Sequence, residues 1–225
     1  MSYKLSIIIP VINESSQIEA CLNNLQSLRQ KGHEVIVVDG GSDDDTFLLA
    51  SSLCDITLLA ERSRSIQMNT GAAKASGDYL LFLHADTVLP TNMPELLSQL
   101  ENNKKQWGRF DITLSGSQFM FRVIETCMNI RSRVTGIATG DQAMFCNKVL
   151  FQKLKGFPEI ALMEDIALSK NLLKMSKPVC FKDKVLSSSR RWEKHGIIKT
   201  ILKMWMLRLL YFFDFDTNKL QKIYS

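Results

Sequence analysis

The sequence predicts an α/β fold in which helices cover a doubly wound, mostly parallel sheet. Short apolar runs alternate with segments whose apolar residues recur at helical spacing, and a polar turn follows each run. Runs of this length are typical of buried strands. The 225 residues are 45% hydrophobic and 23% charged, which fits one globular domain or a domain with a small appendage.

Strand and helix patterns alternate regularly through the first half. The expected strands are residues 5–9, 34–38, 56–60 and 79–83. The expected helices are residues 18–28, 43–53 and 62–75. Pro10 ends the first strand because proline has no N–H for a sheet ladder. Gly32 ends the first helix.

The second half is less regular. Its expected strands are residues 108–114, 143–146 and 179–185. Its expected helices are residues 93–102, 119–133, 147–154, 166–175 and 197–213. The last helix is amphipathic, with a broad apolar face. We therefore expect a main domain over residues 1–195 and a C-terminal helical extension over residues 196–225.

Composition excludes several classes of protein. The net charge of +5 and the basic C-terminal third suit a phosphate-bearing ligand or an anionic membrane face. Without a zinc-finger or RRM-type signature, we expect no nucleic-acid partner. The five cysteines include no CxxC pair, which argues against disulfides and structural zinc. No signal peptide or spanning helix is expected, and a cytoplasmic protein, soluble or peripheral on the inner face of the membrane, fits best.

Acidic side chains follow three of the expected strands. Glu14, Asp39 and Asp86 come after the first, second and fourth strands, and Glu164 and Asp165 open a later helix. Because the carboxyl ends of parallel strands meet at one edge of a sheet, we expect these acids to converge. Such carboxylates suit Mg²⁺ or Mn²⁺ holding a diphosphate.

Each motif also has a purely structural interpretation. Asp39 and Gly40 form either a helix entry or a nucleotide contact, since a carboxylate there can accept from ribose hydroxyls. Arg62 and Arg64 lie on a solvated helix face or bind phosphate. His84 is a packed residue or a metal ligand. The Rossmann GxGxxG and P-loop signatures are absent.

Two later segments are equally open. Glu164 and Asp165 either stabilise a helix N-terminus by their negative charge or provide a general base beside a second carboxylate. Arg190 and Arg191 are either a basic linker or the cations that neutralise a departing diphosphate, with Trp192 packing on a sugar face.

Seven short motifs in a fixed order carry a family resemblance. They are residues 6–14 (SIIIPVINE), 37–44 (VVDGGSDD), 62–71 (RSRSIQMNTG), 83–87 (LHADT), 139–142 (TGDQ), 163–165 (MED) and 189–192 (SRRW). With these motifs the chain resembles glycosyltransferase family 2, the inverting nucleotide-sugar transferases of the Rossmann-like GT-A fold. It looks most like the small bacterial branch with HADT and RRW segments.

The resemblance implies a role for each matching position. Asp165 would be the general base, supported by Glu164, with Arg190 and Arg191 on the diphosphate. Asp86 would hold Mg²⁺ or Mn²⁺, and His84 stands where the family usually has a further aspartate. The donor, UDP- or GDP-linked, and the hydroxyl acceptor would contact Pro10, Glu14, Asp39, Gly40, Arg62, Arg64, Gln67, Asn69, His84, Ala85, Asp86, Asp141, Gln142 and Trp192.

Alternatives stay open at this stage. A non-catalytic nucleotide-sugar binding protein would keep the same acids. A sugar-phosphate nucleotidyltransferase would need a glycine-rich basic loop after the first strand, whereas residues 10–14 are acidic and lack glycine. The helix at residues 197–213 could pack on its own domain, on a second subunit in a homodimer, or on a membrane surface.

Overall fold

The structure, a computed structural model, describes residues 3–103 and 106–224. Within them lies an eight-stranded sheet in the order β3-β2-β1-β4-β7-β6-β8-β5. The strands are β1 (Leu5–Val11), β2 (Glu34–Asp39), β3 (Ile56–Leu59), β4 (Tyr79–Phe82), β5 (Thr87–Val88), β6 (Trp107–Leu114), β7 (Phe145–Asn147) and β8 (Val179–Ser187). The helices are α1 (Ser15–Gln30), α2 (Thr46–Ser51), α3 (Arg64–Lys74), α4 (Met93–Asn103), α5 (Phe119–Thr135), α6 (Lys148–Lys153), α7 (Glu164–Leu173), α8 (Arg190–His195), α9 (Ile197–Phe212) and α10 (Thr217–Tyr224).

The first four strands form the parallel half of the sheet. In this half Ile8 of β1 lies between Ile36 of β2 and Phe82 of β4. Strand β7 then runs antiparallel to both β4 and β6, while β6 and β8 are parallel to each other. The sheet is therefore mixed but mostly parallel, and the predicted α/β class is confirmed.

Both faces of the central strands are buried. Alternate residues of a strand point to opposite faces, so Ile7 and Ile9 pack on the side of α1 and Ile8 packs on the side of α3. This arrangement explains the apolar run at residues 7–9 of β1. The prediction that Pro10 ends the strand is wrong, because β1 continues through Pro10, which pairs with Val38, to Val11. The parallel pairing of β1 with β2 and with β4 brings the ends of these strands to one edge of the sheet.

Helix α3 approaches the sheet closely at Gly71. A Cβ at this position would lie 2.6 Å from Cγ2 of Ile8 and 3.0 Å from Cγ2 of Val38. Only glycine fits there without a shift of the helix, and this contact sets the position of the residues at the N-terminus of α3.

Three short elements were not expected from the sequence. Strand β5 has two residues, helix α8 forms where a polar linker was an alternative, and α10 follows α9. These segments are too short to show a clear period. Helix α2 begins at Thr46, after the acidic residues expected to open it.

The C-terminal helices pack on the main domain. Leu207 of α9 and Leu220 of α10 are fully buried in a cluster with Met163 and Ile166. Met163 immediately precedes α7, and Ile166 lies within it. Across the described parts of the chain, no helix combines the length and apolarity that crossing a bilayer requires. The boundary near residue 195 remains a prediction.

Candidate active site

Three turns lie side by side at the carboxyl edge of the parallel strands. The turn after β1 is tied to the turn after β2, because Gly40 N–H donates to the Val11 carbonyl at 3.0 Å and Asn13 N–H donates to Ser42 Oγ at 2.9 Å. The turn after β4 follows on the other side of β1. Parallel topology thus brings together segments that are far apart in sequence.

A cavity of about 990 Å³ opens beside this edge. Its polar wall contains side chains predicted for the site: Glu14, Arg64, His84, Asp86, Asp141, Arg190, Arg191 and Trp192. Its apolar wall comes mainly from α5 and α9. A smaller adjoining cleft is lined by Pro10, Glu164 and Asp165, and both Arg64 and His84 line the two spaces.

Glu14 and Asp86 share one electrostatic environment. Burial, and then the negative charge of Asp86, raise the pKa of the Glu14 carboxyl, while Arg190 opposes this rise. Arg190 Nη2 lies 4.0 Å from Glu14 Oε2. Two acids and one cation therefore meet where strands β1 and β4 end, which is a suitable place for a cation and a phosphate to join them.

His84 is engaged by the loop before β7. Its Nδ1 lies 3.4 Å from Asp141 Oδ1. Gly140 packs against the other side of the ring, since a Cβ there would lie 2.7 Å from His84 Nε2. The histidine is thus oriented by Gly140 and Asp141, a partner that its sequence motif did not reveal.

Glu164 and Asp165 open helix α7 in different environments. Glu164 is only 5% exposed, and burial followed by the charge of Asp165 raises its pKa. Asp165 accepts from Gly140 N–H at 2.9 Å and from Ile166 N–H at 2.7 Å. Met163, with φ 71°, turns the chain into the helix in a strained left-handed conformation. Asp165 is therefore held by main-chain donors in the cleft.

Asp39 is fully buried at the end of β2. One carboxylate oxygen accepts from the N–H and Oγ of Ser42 at 2.7 and 2.9 Å. The other oxygen, Oδ2, has no hydrogen-bond partner within the described residues. A buried carboxylate oxygen without a partner is unfavourable, so this atom is a natural acceptor for a ligand hydroxyl or N–H.

Several predicted contact residues are occupied in supporting the site. Gln67 donates to the carbonyls of Val11 and Val38, both at 2.8 Å, and a Cβ on Gly40 would lie 3.1 Å from the Gln67 amide. Asn69 exchanges two hydrogen bonds of 2.9 Å with the main chain of Phe157. These bonds hold the neighbouring turns in place, and a donor contact of Gln67 or Asn69 stays a prediction.

The remaining predicted residues occupy varied environments. Gln142 is buried and accepts from Thr139 N–H at 3.3 Å within a short 3-10 helix, Gly140–Gln142. Ala85 belongs to the apolar core. Arg62 is exposed near the N-terminus of α3. These three residues do not line the main cavity.

Arg191 is held by the C-terminal helix. Its guanidinium lies over the Tyr224 ring, 3.8 Å from the centroid, and donates to the Tyr224 hydroxyl. Lys203 donates to the Tyr224 carbonyl at 2.9 Å. Residues from α8, α9 and α10 therefore close one side of the cavity together.

Two cavity residues, Arg131 of α5 and Arg208 of α9, were not predicted. Both line the main cavity. Arg131 follows Ile124, Cys127 and Met128 at helical spacing, so it continues an otherwise apolar stripe. An arginine on the buried stripe of a helix was the available signal.

A metal would need ligands from outside the protein. Within the residues that the structure describes, no three His, Cys, Asp or Glu side chains are grouped to hold an ion. The oxygen atoms of Glu14 and Asp86 still fit Mg²⁺ or Mn²⁺, because such ions commonly take one or two carboxylates and complete their shell with phosphate and water. A cation would also relieve the repulsion that raises the pKa of Glu14.

Comparison with solved structures defines the class of fold. Staphylococcus aureus TarS in complex with UDP-GlcNAc superposes with a TM-score of 0.67 at 19% identity, covering 82% of this chain and 58% of that one. The mannosyltransferase PcManGT from Pyrobaculum calidifontis, in complex with GDP-Man and Mn²⁺, gives 0.64 at 19% identity, covering 83% and 57%. The described architecture is that of the GT-A glycosyltransferases.

Sequence comparison then identifies the family. The family model described as Glycosyl transferase family 2 matches residues 6–152. The chain therefore belongs to this family. The uncharacterized glycosyltransferase YibD of Escherichia coli (strain K12) is 30% identical over 149 residues, which are 61% of this chain and 42% of YibD. The chain thus spans less than half the length of that relative. The resemblance predicted from the seven motifs is confirmed at the level of the family.

Proposed function

We propose that this chain transfers a sugar from a nucleoside diphosphate donor to a hydroxyl acceptor with inversion at the anomeric carbon. The observation that carries this proposal is the convergence of Glu14, Asp86, Arg190 and the Glu164–Asp165 pair around adjoining spaces at one sheet edge. Family membership supports the reaction type. TarS was solved with UDP-GlcNAc and PcManGT with GDP-Man, which supports a nucleotide-sugar donor.

In this mechanism the nucleotide occupies the side of Asp39. The partnerless Oδ2 accepts a hydrogen bond from the base or the ribose. Gly40 leaves room for close approach beside the Gln67 amide. The diphosphate then extends toward Asp86 and Arg190, since both line the main cavity.

Asp165 acts as the general base. Two main-chain N–H groups orient its carboxylate, and Glu164 beside it is held in an environment that favours its protonated form. Asp165 takes the proton of the acceptor hydroxyl while that oxygen forms a bond to the anomeric carbon. The bond from this carbon to the diphosphate oxygen breaks, and the nucleoside diphosphate leaves with the electron pair.

Asp86 and Glu14 are the residues that would hold Mg²⁺ or Mn²⁺. The ion, when bound, supplies positive charge that stabilises the leaving group. Arg190 contributes a further positive charge beside Glu14. Asp141 orients His84 in the same wall, so His84 is in place for the proposed metal contact.

Substitution of Asp165 by Asn tests the proposal. The measured reaction is release of UDP or GDP from sugar nucleotides by hydrolysis, because the acceptor is unidentified. Loss of the base should lower this rate at least about 100-fold. Nucleotide affinity, measured by calorimetry, should stay within about twofold. Glu19→Gln, which removes an exposed charge on α1, is the control. Near-normal turnover of Asp165→Asn would exclude this role.

Two alternative functions make different predictions. A nucleotide-sugar binding protein would bind the donor without any turnover by the unmodified chain. A sugar-phosphate nucleotidyltransferase would release pyrophosphate from a nucleoside triphosphate. The turn after β1 argues against the nucleotidyltransferase alone, because that reaction would need a glycine-rich basic loop there, whereas this turn carries Glu14 and no glycine.

We further propose that the exposed face of α9 rests on an anionic membrane. Leu202, Leu209 and Phe212 on this face are 59%, 59% and 71% exposed, and the exposed Lys199 lies on the same helix. Such a helix suits the interface of a bilayer. Co-sedimentation with phosphatidylglycerol vesicles should occur and should be lost in a Leu202→Ser, Phe212→Ser variant. If the chain does not bind vesicles and light scattering gives the mass of a dimer, this face would instead contact a second copy of the chain.

A further inference from the structure

Arg131 of α5 and Arg208 of α9 both line the main cavity. The nitrogen atoms Nε and Nη2 of Arg131 and Nε of Arg208 are buried and have no hydrogen bond within the described residues. Neither side chain has a carboxylate within 4.0 Å among these residues. Other arginines nearby are paired, as Arg133 is with Asp111 and Arg122 is with Glu125.

Among the described residues, the charges around Arg131 and Arg208 leave the two guanidinium groups without a close counter-ion. Asp165 and Asp141 attract both guanidinium groups from a distance, whereas Arg208 and Arg109 repel Arg131. A half-buried cation without hydrogen bonds is unfavourable unless a partner arrives. Two such cations that face one space form a ready receptor for a doubly charged oxyanion, because guanidinium groups bind phosphate in a bidentate manner.

The walls that lead away from the two arginines are apolar. They consist of Ile124, Cys127 and Met128 on α5, and of Ile201, Met204 and Trp205 on α9. Each set lies on the same helical stripe as its arginine, at spacings of three, four and seven residues. The sugar-nucleotide donor is highly polar and does not match these apolar walls. The walls therefore suit the acceptor.

We propose that Arg131 and Arg208 bind a phosphate group of the acceptor, and that the apolar part of the acceptor lies between α5 and α9. This inference rests on the proposed transfer reaction and names the acceptor class as a hydroxyl compound bearing a phosphate and an apolar portion. The phosphate then lies on the side of Asp165, while the donor diphosphate lies on the side of Asp86 and Arg190. The two arginines are binding residues for the second substrate.

Binding by the full chain tests this assignment without knowledge of the natural acceptor. The probes for calorimetry are dodecyl phosphate below its micellar concentration, glycerol 3-phosphate as a phosphate without a tail, and dodecyl maltoside as a tail without a phosphate. Dodecyl phosphate should bind at least about tenfold more tightly than either other probe. Equal affinity of glycerol 3-phosphate would assign the pair to a free phosphate compound and would overturn the apolar half of the proposal.

The variants Arg131→Gln and Arg208→Gln should each lower the affinity for dodecyl phosphate at least about tenfold. Lysine at either position should restore part of this affinity. Lys153→Gln, an exposed lysine of α6 outside the cavity, is the charge-matched control. Unchanged affinity in both glutamine variants would overturn the proposal. So would a loss of UDP or GDP affinity instead, because it would place the pair on the donor.

Failure of the proposed reaction would look different. In that case the unmodified chain would neither bind nor hydrolyse sugar nucleotides, while the arginine-dependent binding of dodecyl phosphate would persist.

Discussion

Replacing Arg131 by glutamine should stabilise the protein, although the residue is proposed to bind substrate. Burial, and then the charge of Arg208, lower the pKa of the Arg131 guanidinium to about 10. A drop of this size corresponds to about 3 kcal/mol against the charged form in the folded state. Partial exposure and the lost packing of the aliphatic stem reduce the expected gain to about 1 kcal/mol.

The sign of this effect follows from the two protonation equilibria. At neutral pH the guanidinium is charged in both the folded and the unfolded chain, and the folded chain holds the proton less tightly. The penalty is therefore present in full at neutral pH and declines as the pH rises through about 10. For a chain of this length, 1 kcal/mol corresponds to a rise in Tm of about 2–4 °C.

Thermal unfolding followed by circular dichroism at pH 7 measures the change. Arg122→Gln on the same helix is the matched variant, because Arg122 pairs with buried Glu125 at 2.6 Å and donates to the Leu114 carbonyl at 2.7 Å. That variant should lose stability. The reasoning is refuted if Arg131→Gln lowers Tm as much as Arg122→Gln does. Dodecyl phosphate should raise the Tm of the unmodified chain more than that of Arg131→Gln.

Three other substitutions have defined outcomes. Gly71→Ala should lower the free energy of unfolding by about 1–3 kcal/mol in urea, because the new methyl would lie 2.6 Å from Ile8; an unchanged midpoint would contradict the packing. Gly140→Ala should displace the ring of His84 and lower kcat for donor hydrolysis with little change in Tm, and normal kcat would remove that ring from the site. Glu164→Gln should raise Tm at pH 7, since burial and Asp165 raise the pKa of Glu164 and its charge opposes folding above the ordinary glutamate range. This gain should vanish as the pH falls below that range, and a gain equal at pH 4 and pH 7 would point to another cause.

Much of the first half of the fold was predictable because its physical signals are local. Residues 7–9 of β1 are apolar since both faces of the strand are buried, and Gly32 stands just after the end of α1. Topology then brings Glu14 and Asp86 to one edge without any need for side-chain detail. The convergence of the acids at the strand ends was therefore predictable from the sequence pattern and the parallel topology alone.

The other features depend on contacts between distant segments. The pairing of His84 with Asp141 joins the end of β4 to the loop before β7, and no spacing in either segment encodes it. Arg131 and Arg208 lie on separate helices, α5 and α9, that are far apart in sequence. The antiparallel insertion of β7 was hidden because a three-residue strand has no measurable period.

Cys127 gives the protein a built-in reporter. Its thiol is exposed on the cavity wall of α5, whereas burial raises the pKa of Cys21 and of Cys146 to about 12 and leaves them unreactive. A maleimide dye should therefore modify Cys127 far faster than either of these. Compounds that fill the space beside it would slow the modification, so a library of candidate second substrates can be ranked by protection kinetics before any product has been detected.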